Sequence, residues 1–420
     1  MNRLRSFASM PLIGLLSAAM VGCGGGGSSS ASPAGAGASA PSTSVSSDRA
    51  SNQIPIVVDR GPPGVYAVNT PYVNVTLCAP GSTTNCQTVG HVLLDTGSSG
   101  LRIMASVLTP ALLNALPAVS LNGAPIAECL PFVQGNVWGP LVSADIAMNG
   151  ESAAGAAVQI IGAGAYDSIP AACSASGPVQ DTVSAFGANG IIGVGVFEQD
   201  CGSACASNSG LGIYYTCNTT TSCTSAAVPL AKQVWNPVAL VPDDNNGTLI
   251  TLPAAPPSGA PATGTLTFGI GTQSDNAIGN ASILTVDDVY GELTATVGAT
   301  TYTGSYVDSG SNGYFFGTNV FQLCKYSLGF YCPPSGAVAV LASLQGVNGE
   351  TLSANFTVGN ADDFAASHPN AADDADLAGS NGTGGAAFGL PFFLGATVST
   401  AIEHSNTPVA MGPWVGVLRN

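Results

Sequence analysis

The chain has 420 residues, which is enough for one large domain or for two domains of ordinary size. Only 8% of the residues are charged, and the formal net charge is −16. Such an acidic surface repels phosphate backbones, which argues against a nucleic-acid partner. Long solvated helices need Lys, Glu and Arg, which are scarce here, whereas glycine-rich turns between short apolar runs are typical of β-proteins. The composition therefore predicts an all-β fold.

The first 22 residues have the pattern of a secretory signal peptide. Arg3 and Arg5 precede an apolar run over residues 10–21 (MPLIGLLSAAMV), which is too short to anchor a protein across a bilayer. The run ends in residues 20–23 (MVGC), which resembles a bacterial lipobox, where the cysteine is diacylated and becomes the new N-terminus. We therefore predict lipidation at Cys23. The alternative is ordinary cleavage nearby, with an incidental cysteine.

A flexible linker follows the predicted anchor. Residues 24–47 are almost entirely Gly, Ala, Ser, Thr and Pro, a composition that cannot bury a core. The segment over residues 23–50 is thus predicted to tether a folded domain to a membrane of the bacterial cell envelope. Gly24 takes the place where an Asp would resemble an inner-membrane retention signal, which favours the outer membrane.

Ten cysteines remain after Cys23, and an even number in an exported chain predicts up to five disulfides. The natural local pairs are Cys78 with Cys86 and Cys324 with Cys332. Zinc binding by the cysteines of residues 201–223 is the rival interpretation, but that cluster lacks paired C-x₂-C units and contains no histidine. The sequence leaves the pairing open among Cys129, Cys173, Cys201, Cys205, Cys217 and Cys223.

The chain contains an internal repeat. In each half an apolar strand ends in an aspartate, Asp95 and then Asp308. Each aspartate precedes a hydroxyl residue, a glycine and a serine, and an apolar glycine-bearing strand follows further along, at residues 189–195 (NGIIGVG) and 386–393 (AAFGLPFF). The residues after the two aspartates are Thr96, Gly97 and Ser98 in the first copy, and Ser309, Gly310 and Ser311 in the second.

The repeat predicts two lobes, an N-terminal lobe over residues 51–255 and a C-terminal lobe over residues 256–420. The boundary lies within a proline-rich run at residues 252–263. The first lobe opens with a predicted hairpin, in which residues 72–77 pair with residues 87–94. Residues 106–116 are one of the few helix-like stretches.

Two Asp-hydroxyl-Gly loops that face each other can perform acid–base chemistry. Burying an aspartate costs free energy unless backbone N–H groups of a tight turn and nearby hydroxyls donate hydrogen bonds to it. Two carboxylates held close together cannot both ionise easily, so one keeps a proton while the other acts as a base. Such a pair can activate water against a peptide carbonyl and protonate the leaving nitrogen.

These loops resemble the two active-site loops of the pepsin-like aspartic peptidases, and the match runs in order and spacing from about residue 71 to the C-terminus. The chain is also similar to an uncharacterised family of bacterial lipoproteins placed in the same structural clan. The resemblance implies an all-β, two-lobed pepsin-like fold with an interlobe cleft. It implies an endopeptidase that acts on peptide or protein substrates with Asp95 and Asp308, using water and neither cofactor nor metal. We expect a monomer.

The chain departs from this family around its flap, a hairpin whose tyrosine closes over the substrate. Residues 132–139 (FVQGNVWG) fall in the right place, but Phe132 stands where the tyrosine is expected. Trp138 is the candidate substitute, with ordinary core packing of both aromatics as an equal alternative. The aromatic residue that braces the flap in the family is replaced within residues 101–103 (LRI).

Three hypotheses follow. The retained hydroxyls at Thr96, Ser98, Ser309 and Ser311 favour a peptidase, whereas the missing tyrosine and altered brace favour a catalytically idle binding module for a peptide or surface polymer. A structural envelope lipoprotein is the third. Two acidic turns, residues 243–247 and 373–376, lack the spacing of an EF-hand, so we predict solvated turns and no metal there.

Overall fold

The structure is a computed structural model. The predicted signal peptide, the lipidation of Cys23 and the predicted linker lie outside the residues that it describes. In the described part of the chain, no helix is both long and apolar enough to cross a bilayer. The structure describes residues 51–166, 168–175, 177–256, 259–382 and 384–419.

Short strands dominate the first half of the chain, because β-branched and apolar residues alternate there between glycine-containing turns. The predicted hairpin is present as strands β2 and β3. The strands of this half are β1 (Gln53–Val58), β2 (Pro71–Cys78), β3 (Cys86–Asp95), β4 (Ser99–Met104), β5 (Ser120–Leu121), β6 (Ala124–Phe132), β7 (Gly135–Met148), β8 (Glu151–Ile161), β9 (Gly190–Val194), β10 (Tyr214–Thr219), β11 (Ser222–Ser225) and β12 (Gly247–Leu252).

The second half is built from strands of similar or shorter length. These are β13 (Ala262–Phe268), β14 (Ser282–Thr285), β15 (Leu293–Val297), β16 (Thr300–Val307), β17 (Tyr314–Phe315), β18 (Val338–Val340), β19 (Ala342–Gln345), β20 (Thr351–Ser353), β21 (Phe356–Val358), β22 (Ala378–Gly379), β23 (Ala387–Phe388), β24 (Ala396–Ala401) and β25 (Trp414–Arg419).

Helices are few and short. The helix-like stretch at residues 106–116 is a 3₁₀ turn, Ala105–Val107, followed by a separate α-helix. That helix begins at Pro110, which cannot sit inside a helix, and the Thr109 side chain caps it by accepting a hydrogen bond from the backbone N–H of Leu112. The α-helices are α1 (Pro110–Ala115), α2 (Ala171–Ser174), α3 (Val183–Phe186), α4 (Ser203–Ser207), α5 (Ala361–Ser367) and α6 (Leu390–Phe393); further 3₁₀ turns are Gly164–Tyr166, Ser209–Leu211, Leu230–Lys232 and Pro237–Leu240.

The two halves repeat one strand arrangement. In the first, β3 runs parallel to the glycine strand β9, and β4 is antiparallel to β9 and parallel to β8. In the second, β16 runs parallel to the glycine strand β23, and β17 is antiparallel to β23 and parallel to β22. Each strand that leads into an aspartate is thus held by its own glycine strand, and the predicted all-β, duplicated fold is confirmed.

A shared sheet joins the halves. Strand β13 pairs with β1 and with β12, and β12 continues through β24 and β25 to β14. One apolar cluster extends through both halves, from Ile54 to Val417. The predicted lobe boundary falls between β12 and β13, which are neighbours in this sheet, and the division into lobes at that point stays a prediction.

Five disulfides join the ten cysteines of the described residues. Both predicted local bridges, Cys78–Cys86 and Cys324–Cys332, are present. The pairing that the sequence left open is Cys129–Cys173, Cys201–Cys205 and Cys217–Cys223.

The prediction that both acidic turns are solvated is correct for Asp243 and Asn245, which are exposed, but wrong for at least one aspartate in each turn. Asp244 and Asp373 are each only 1% exposed. The Asp244 carboxylate accepts hydrogen bonds from the side chains of Thr272 and Gln273, which satisfy it within the fold. Burial, and then the neighbouring Asp374, raise the pKa of Asp373 to about 6.

Candidate active site

Asp95 is the last residue of β3 and is almost fully buried. Val92 and Leu94 of the same strand are completely buried, and Asp95 lies opposite Gly193 of β9. Glycine is required on β9, because a Cβ at Gly193 would lie 2.6 Å from the backbone of Ser98 and Ser99. The glycine strand therefore lets the first Asp loop pack directly on its backbone.

Both carboxylates accept the hydrogen bonds that the sequence predicted. The backbone N–H of Gly97 donates to Asp95 Oδ1 at 2.8 Å, and Ser98 Oγ donates to Asp95 Oδ2. The second loop repeats the arrangement: the N–H of Gly310 donates to Asp308 Oδ1 at 2.8 Å, and Ser311 Oγ donates to Asp308 Oδ2 at 2.7 Å. Hydrogen bonds of this kind favour the charged form of each carboxyl group.

Hydroxyl groups cross from each loop to the other. The N–H of Thr96 donates to Ser309 Oγ at 3.1 Å, and the N–H of Ser309 donates to Thr96 Oγ1 at 3.0 Å. Ser309 Oγ also donates to the carbonyl of Leu94 at 2.8 Å, and Thr96 Oγ1 donates to the carbonyl of Val307. These reciprocal bonds fix the two loops face to face.

The carboxyl groups of Asp95 and Asp308 face each other, close enough for the charge of Asp308 to act on the protonation of Asp95. A Cβ at Gly97 would lie 2.7 Å from Asp308 Cγ, and one at Gly310 would lie 2.5 Å from Asp95 Oδ1, so only glycine permits this approach. Burial, followed by the charge of Asp308, raises the pKa of Asp95 well above its ordinary value. The pair therefore holds one proton over a range of pH in which an isolated aspartic acid loses it.

Tyr306 lies beside this pair and was not singled out from the sequence. Burial, and then the Asp308 and Asp95 carboxylates, raise its pKa, so its phenol stays neutral. The sequence signal that could have identified Tyr306 is the two-residue period of a strand. Tyr306 precedes Asp308 by two residues and therefore shares its face of the strand.

The hairpin predicted as the flap is formed by β6 and β7, with Val133 and Gln134 exposed at its tip. Phe132 is partly buried and packs edge-to-face on Phe186, with ring centroids 5.9 Å apart. The prediction that it meets substrate stays a prediction.

The role predicted for Trp138 does not fit the structure. Its side chain is 2% exposed, its indole N–H donates to the carbonyl of Tyr166 at 2.8 Å, and its ring packs edge-to-face on Tyr215. It belongs to an apolar cluster around the Cys129–Cys173 disulfide. A ring so enclosed has no free face for a substrate, so Trp138 is a core residue.

At residues 101–103, where the family has the aromatic brace of the flap, the structure shows a group of charged residues that sequence reasoning missed. Arg102 of β4 is completely buried, and its guanidinium forms ion pairs with Glu128 of β6 at 2.8 Å and with Asp200 at 2.9 Å. The Tyr214 hydroxyl donates to Asp200 at 2.6 Å. The signal for this group was a lone arginine within the apolar strand Ser99–Met104, whose buried charge requires acidic partners.

One group of possible metal ligands is found among the described residues, namely Cys324, Cys332 and Asp362. The two cysteines form a disulfide and therefore offer no thiolate. The Asp362 carboxylate instead accepts backbone N–H groups of Lys325, Tyr326 and Ser327. This group is a stapled turn and not a metal centre.

Comparison with known proteins places the duplicated chain in a family. The sequence model of the family described as "Protein of unknown function (DUF3443)" matches residues 48–416. The chain belongs to this family. The match spans both Asp loops, so the site described here lies within the DUF3443 region.

No curated protein matches the DUF3443 chain in sequence. Among solved structures, the chain is similar to the crystal structure of an aspartic proteinase from Irpex lacteus. The two are 13% identical, with a TM-score of 0.48, and the alignment covers 88% of this chain and 97% of the proteinase.

Proposed function

We propose that this DUF3443 protein is an aspartic-type endopeptidase in which Asp95 and Asp308 cleave peptide bonds with water. The observation that carries the proposal is the close approach of the buried Asp95 carboxyl group to the partly buried Asp308 carboxyl group within a symmetric set of hydrogen bonds. A structural scaffold has no need of two glycines that admit each carboxylate to the opposite loop. A general acid and a general base of the same type require that arrangement.

The chemistry proposed for the pair follows from its single shared proton. The ionised carboxylate takes a proton from a water molecule, which attacks the carbonyl carbon of the peptide bond. The protonated carboxyl donates its proton to the carbonyl oxygen, which gives a tetrahedral diol. A proton then moves to the leaving nitrogen and the C–N bond breaks. Ser98 and Ser311, which donate to the outer carboxylate oxygens, keep both groups in position throughout.

The N-terminal pattern supports a location for this activity. We propose that Cys23 carries a lipid anchor and that the chain is a monomeric lipoprotein of the bacterial cell envelope, with the outer membrane favoured over the inner. Its substrates would be peptides or proteins within reach of the linker over residues 24–47. Mass spectrometry of the mature N-terminus tests the anchor. In Cys23→Ser the acyl groups should be absent, and the chain should be released from membranes.

A specific observation also favours the second candidate, a binding module with an idle dyad. The hairpin has Phe132 in place of a tyrosine, and the candidate substitute Trp138 is enclosed in the core. A hairpin without a hydroxyl can still cover a bound peptide or surface polymer.

The first prediction separates the two candidates. The full-length chain in detergent is incubated with an unfolded protein at a series of pH values from acidic to neutral. Cleavage is expected for the wild type and a loss of about 10³-fold or more for Asp95→Asn and Asp308→Asn, because a single carboxyl cannot be both acid and base. Asp181→Asn, at an exposed aspartate, is the matched control and keeps full activity. Intact substrate at every pH, with a folded wild type, would favour the binding module.

A further inference from the structure

A buried group of ion pairs joins β4, the strand that follows the first Asp loop, to the hairpin. The Arg102 guanidinium donates from Nε and Nη2 to the two oxygens of Glu128, at 3.2 and 2.8 Å. Nη2 also donates to Asp200, and Nη1 donates to the carbonyl of Ser99 at 2.9 Å. Arg102 and Glu128 are fully buried, so the bidentate pair is shielded from water and from salt.

A tyrosine and a glutamine complete this group. Tyr214 of β10 lies directly opposite Glu128 of β6, and its hydroxyl donates to Asp200 while accepting from the N–H of Val234 at 2.9 Å. The Gln159 side chain donates to the Glu128 carbonyl at 2.8 Å. The contacts therefore hold both the carboxylate and the backbone of the hairpin strand.

The same hairpin is attached along its length by other contacts. Cys129, next to Glu128, is bonded to Cys173, and the N–H of Cys129 donates to the carbonyl of Ile213 at 2.7 Å. Near the tip, the Asn136 side chain donates to the carbonyls of Cys173 and Gly177, both at 2.9 Å. A lid that lifts from a site needs one free side, and these contacts occupy both strands.

We infer that Arg102 is a positioning residue which, together with Glu128, Asp200 and Tyr214, clamps the β6–β7 hairpin to β4, the strand that follows the first Asp loop, and makes the hairpin a fixed element instead of a moving lid. We call these four residues the clamp. The reason is the cost of separation, since lifting the hairpin would leave a buried guanidinium and two buried carboxyl groups without their partners.

The clamp stands on its own geometry, whereas its consequence for turnover rests on the proposed peptidase function. Burial, followed by the charge of Glu128, raises the pKa of Asp200 well above its ordinary value. Asp200 therefore retains its proton to a higher pH than an ordinary aspartic acid, which lowers the repulsion between it and Glu128 beside the single guanidinium.

Hydrogen–deuterium exchange of the full-length chain, followed by mass spectrometry at about pH 5, tests the clamp. In the wild type, peptides covering residues 130–139 are expected to exchange as slowly as the central strand at residues 92–95. Glu128→Gln should speed exchange of the hairpin by about tenfold or more, and of residues 92–95 by less than about twofold. Wild-type hairpin exchange at the rate of an exposed loop would overturn the inference, as would equal acceleration of both regions.

Two further variants keep the test decisive. Tyr214→Phe removes a single hydroxyl and replaces Glu128→Gln in the test if that variant does not fold. It should speed hydrogen exchange of the same hairpin peptides, but by less than Glu128→Gln. Unchanged exchange would overturn the clamp. Glu151→Gln is the matched control, a buried glutamate of the same half whose pKa of about 7 keeps it protonated at this pH. It should leave hairpin exchange unchanged, and acceleration there would show a general loss of stability instead.

Peptide kinetics distinguish the clamp from the proposed activity. If the chain is a peptidase, Glu128→Gln should raise KM by about tenfold, with kcat and its pH profile within about twofold of the wild type, because the dyad is untouched. A lowered kcat with a shifted pH profile would contradict a positioning role. A wild type without any cleavage would overturn the peptidase, while the exchange result would still decide the clamp.

Discussion

At the residue scale, glycine decides how closely the two carboxylates approach. Gly97 and Gly310 each provide an N–H to their own aspartate and at the same time leave room for the aspartate of the opposite loop. A methyl group at either position would occupy the space of a carboxyl group. These two glycines are therefore required for the close approach of the two carboxyl groups.

The second prediction concerns this approach. In Gly310→Ala, the new Cβ would meet Asp95 Oδ1 at 2.5 Å, so the carboxyl groups must move apart. Peptide cleavage is expected to fall by about 100-fold, because a displacement of about 1 Å in a catalytic group can lower the rate by that factor. Initial rates on an unfolded protein measure this. Gly164→Ala, where the Cβ would meet nothing within 4 Å, is the control. Full activity in Gly310→Ala would contradict the need for contact between the carboxyls.

At the element scale, the hairpin is part of a rigid layer. Strand β6 pairs with β7 on one side and with β10 on the other, and the Cys129–Cys173 disulfide ties it to α2. Segment 177–180 lies along the tip through Asn136, whose N–H donates to the carbonyl of Pro178 at 2.8 Å. This layer explains why Trp138 is enclosed in the core.

The third prediction compares two disulfides of this layer. Cys129→Ala with Cys173→Ala opens a loop of 44 residues, and the lost restraint on the unfolded chain corresponds to about 4 kcal/mol of unfolding free energy. Cys217→Ala with Cys223→Ala, a separation of only 6 residues, should cost about 2 kcal/mol. Guanidinium unfolding measures both. The variant that lacks Cys129–Cys173 should also be cut first by proteases within residues 164–180. Equal resistance of the two variants to proteases would contradict the role of this disulfide in holding the hairpin.

At the scale of the whole molecule, at least three pairs of acidic side chains face each other among the described residues of a chain whose net charge is −16. They are Asp95 with Asp308, Glu128 with Asp200, and Glu151 with Asp244. A group whose pKa is raised by folding stabilises the protein below its ordinary pKa, and that contribution is lost as the pH rises through the folded pKa. Asp95, Asp200 and Glu151 therefore each contribute more to stability in acid than at neutral pH.

The fourth prediction concerns Glu151, because its raised pKa lies in a pH range in which thermal unfolding can be measured on both sides. Burial, followed by the Asp244 carboxyl, raises the pKa of Glu151 from 4.5 to about 7. Stability from this group is complete below pH 4.5 and is lost as the pH rises through about 7. Glu151→Gln has no such loss, so at pH 8 its Tm should exceed that of the wild type by about 2–4 °C. Calorimetry at pH 4.5 and pH 8 measures this, with the exposed Glu350→Gln as control. A lower Tm at pH 8 would contradict the shared proton.

Much of the fold was predictable because its signals are local. An apolar strand ending in Asp, a tight glycine turn and an alternating hairpin each depend on residues that are neighbours in the chain, and two short-range disulfides needed only a turn between their cysteines. The burial of Trp138, Asp244 and Asp373 was not predictable, because burial depends on which elements cover a residue.

The amino-acid sequence by itself determined that two Asp loops exist and that each has its own hydroxyls and glycine, since strand period and turn chemistry act over a few residues. Only the tertiary structure decided which side chains contact each other between segments that are distant in the chain. Ser309 reaches the backbone of Leu94, and Arg102 meets Glu128 and Asp200, which are 26 and 98 residues away in the chain. Partners at such distances are selected by strand pairing and by the cost of an unpaired buried charge, which no local pattern encodes.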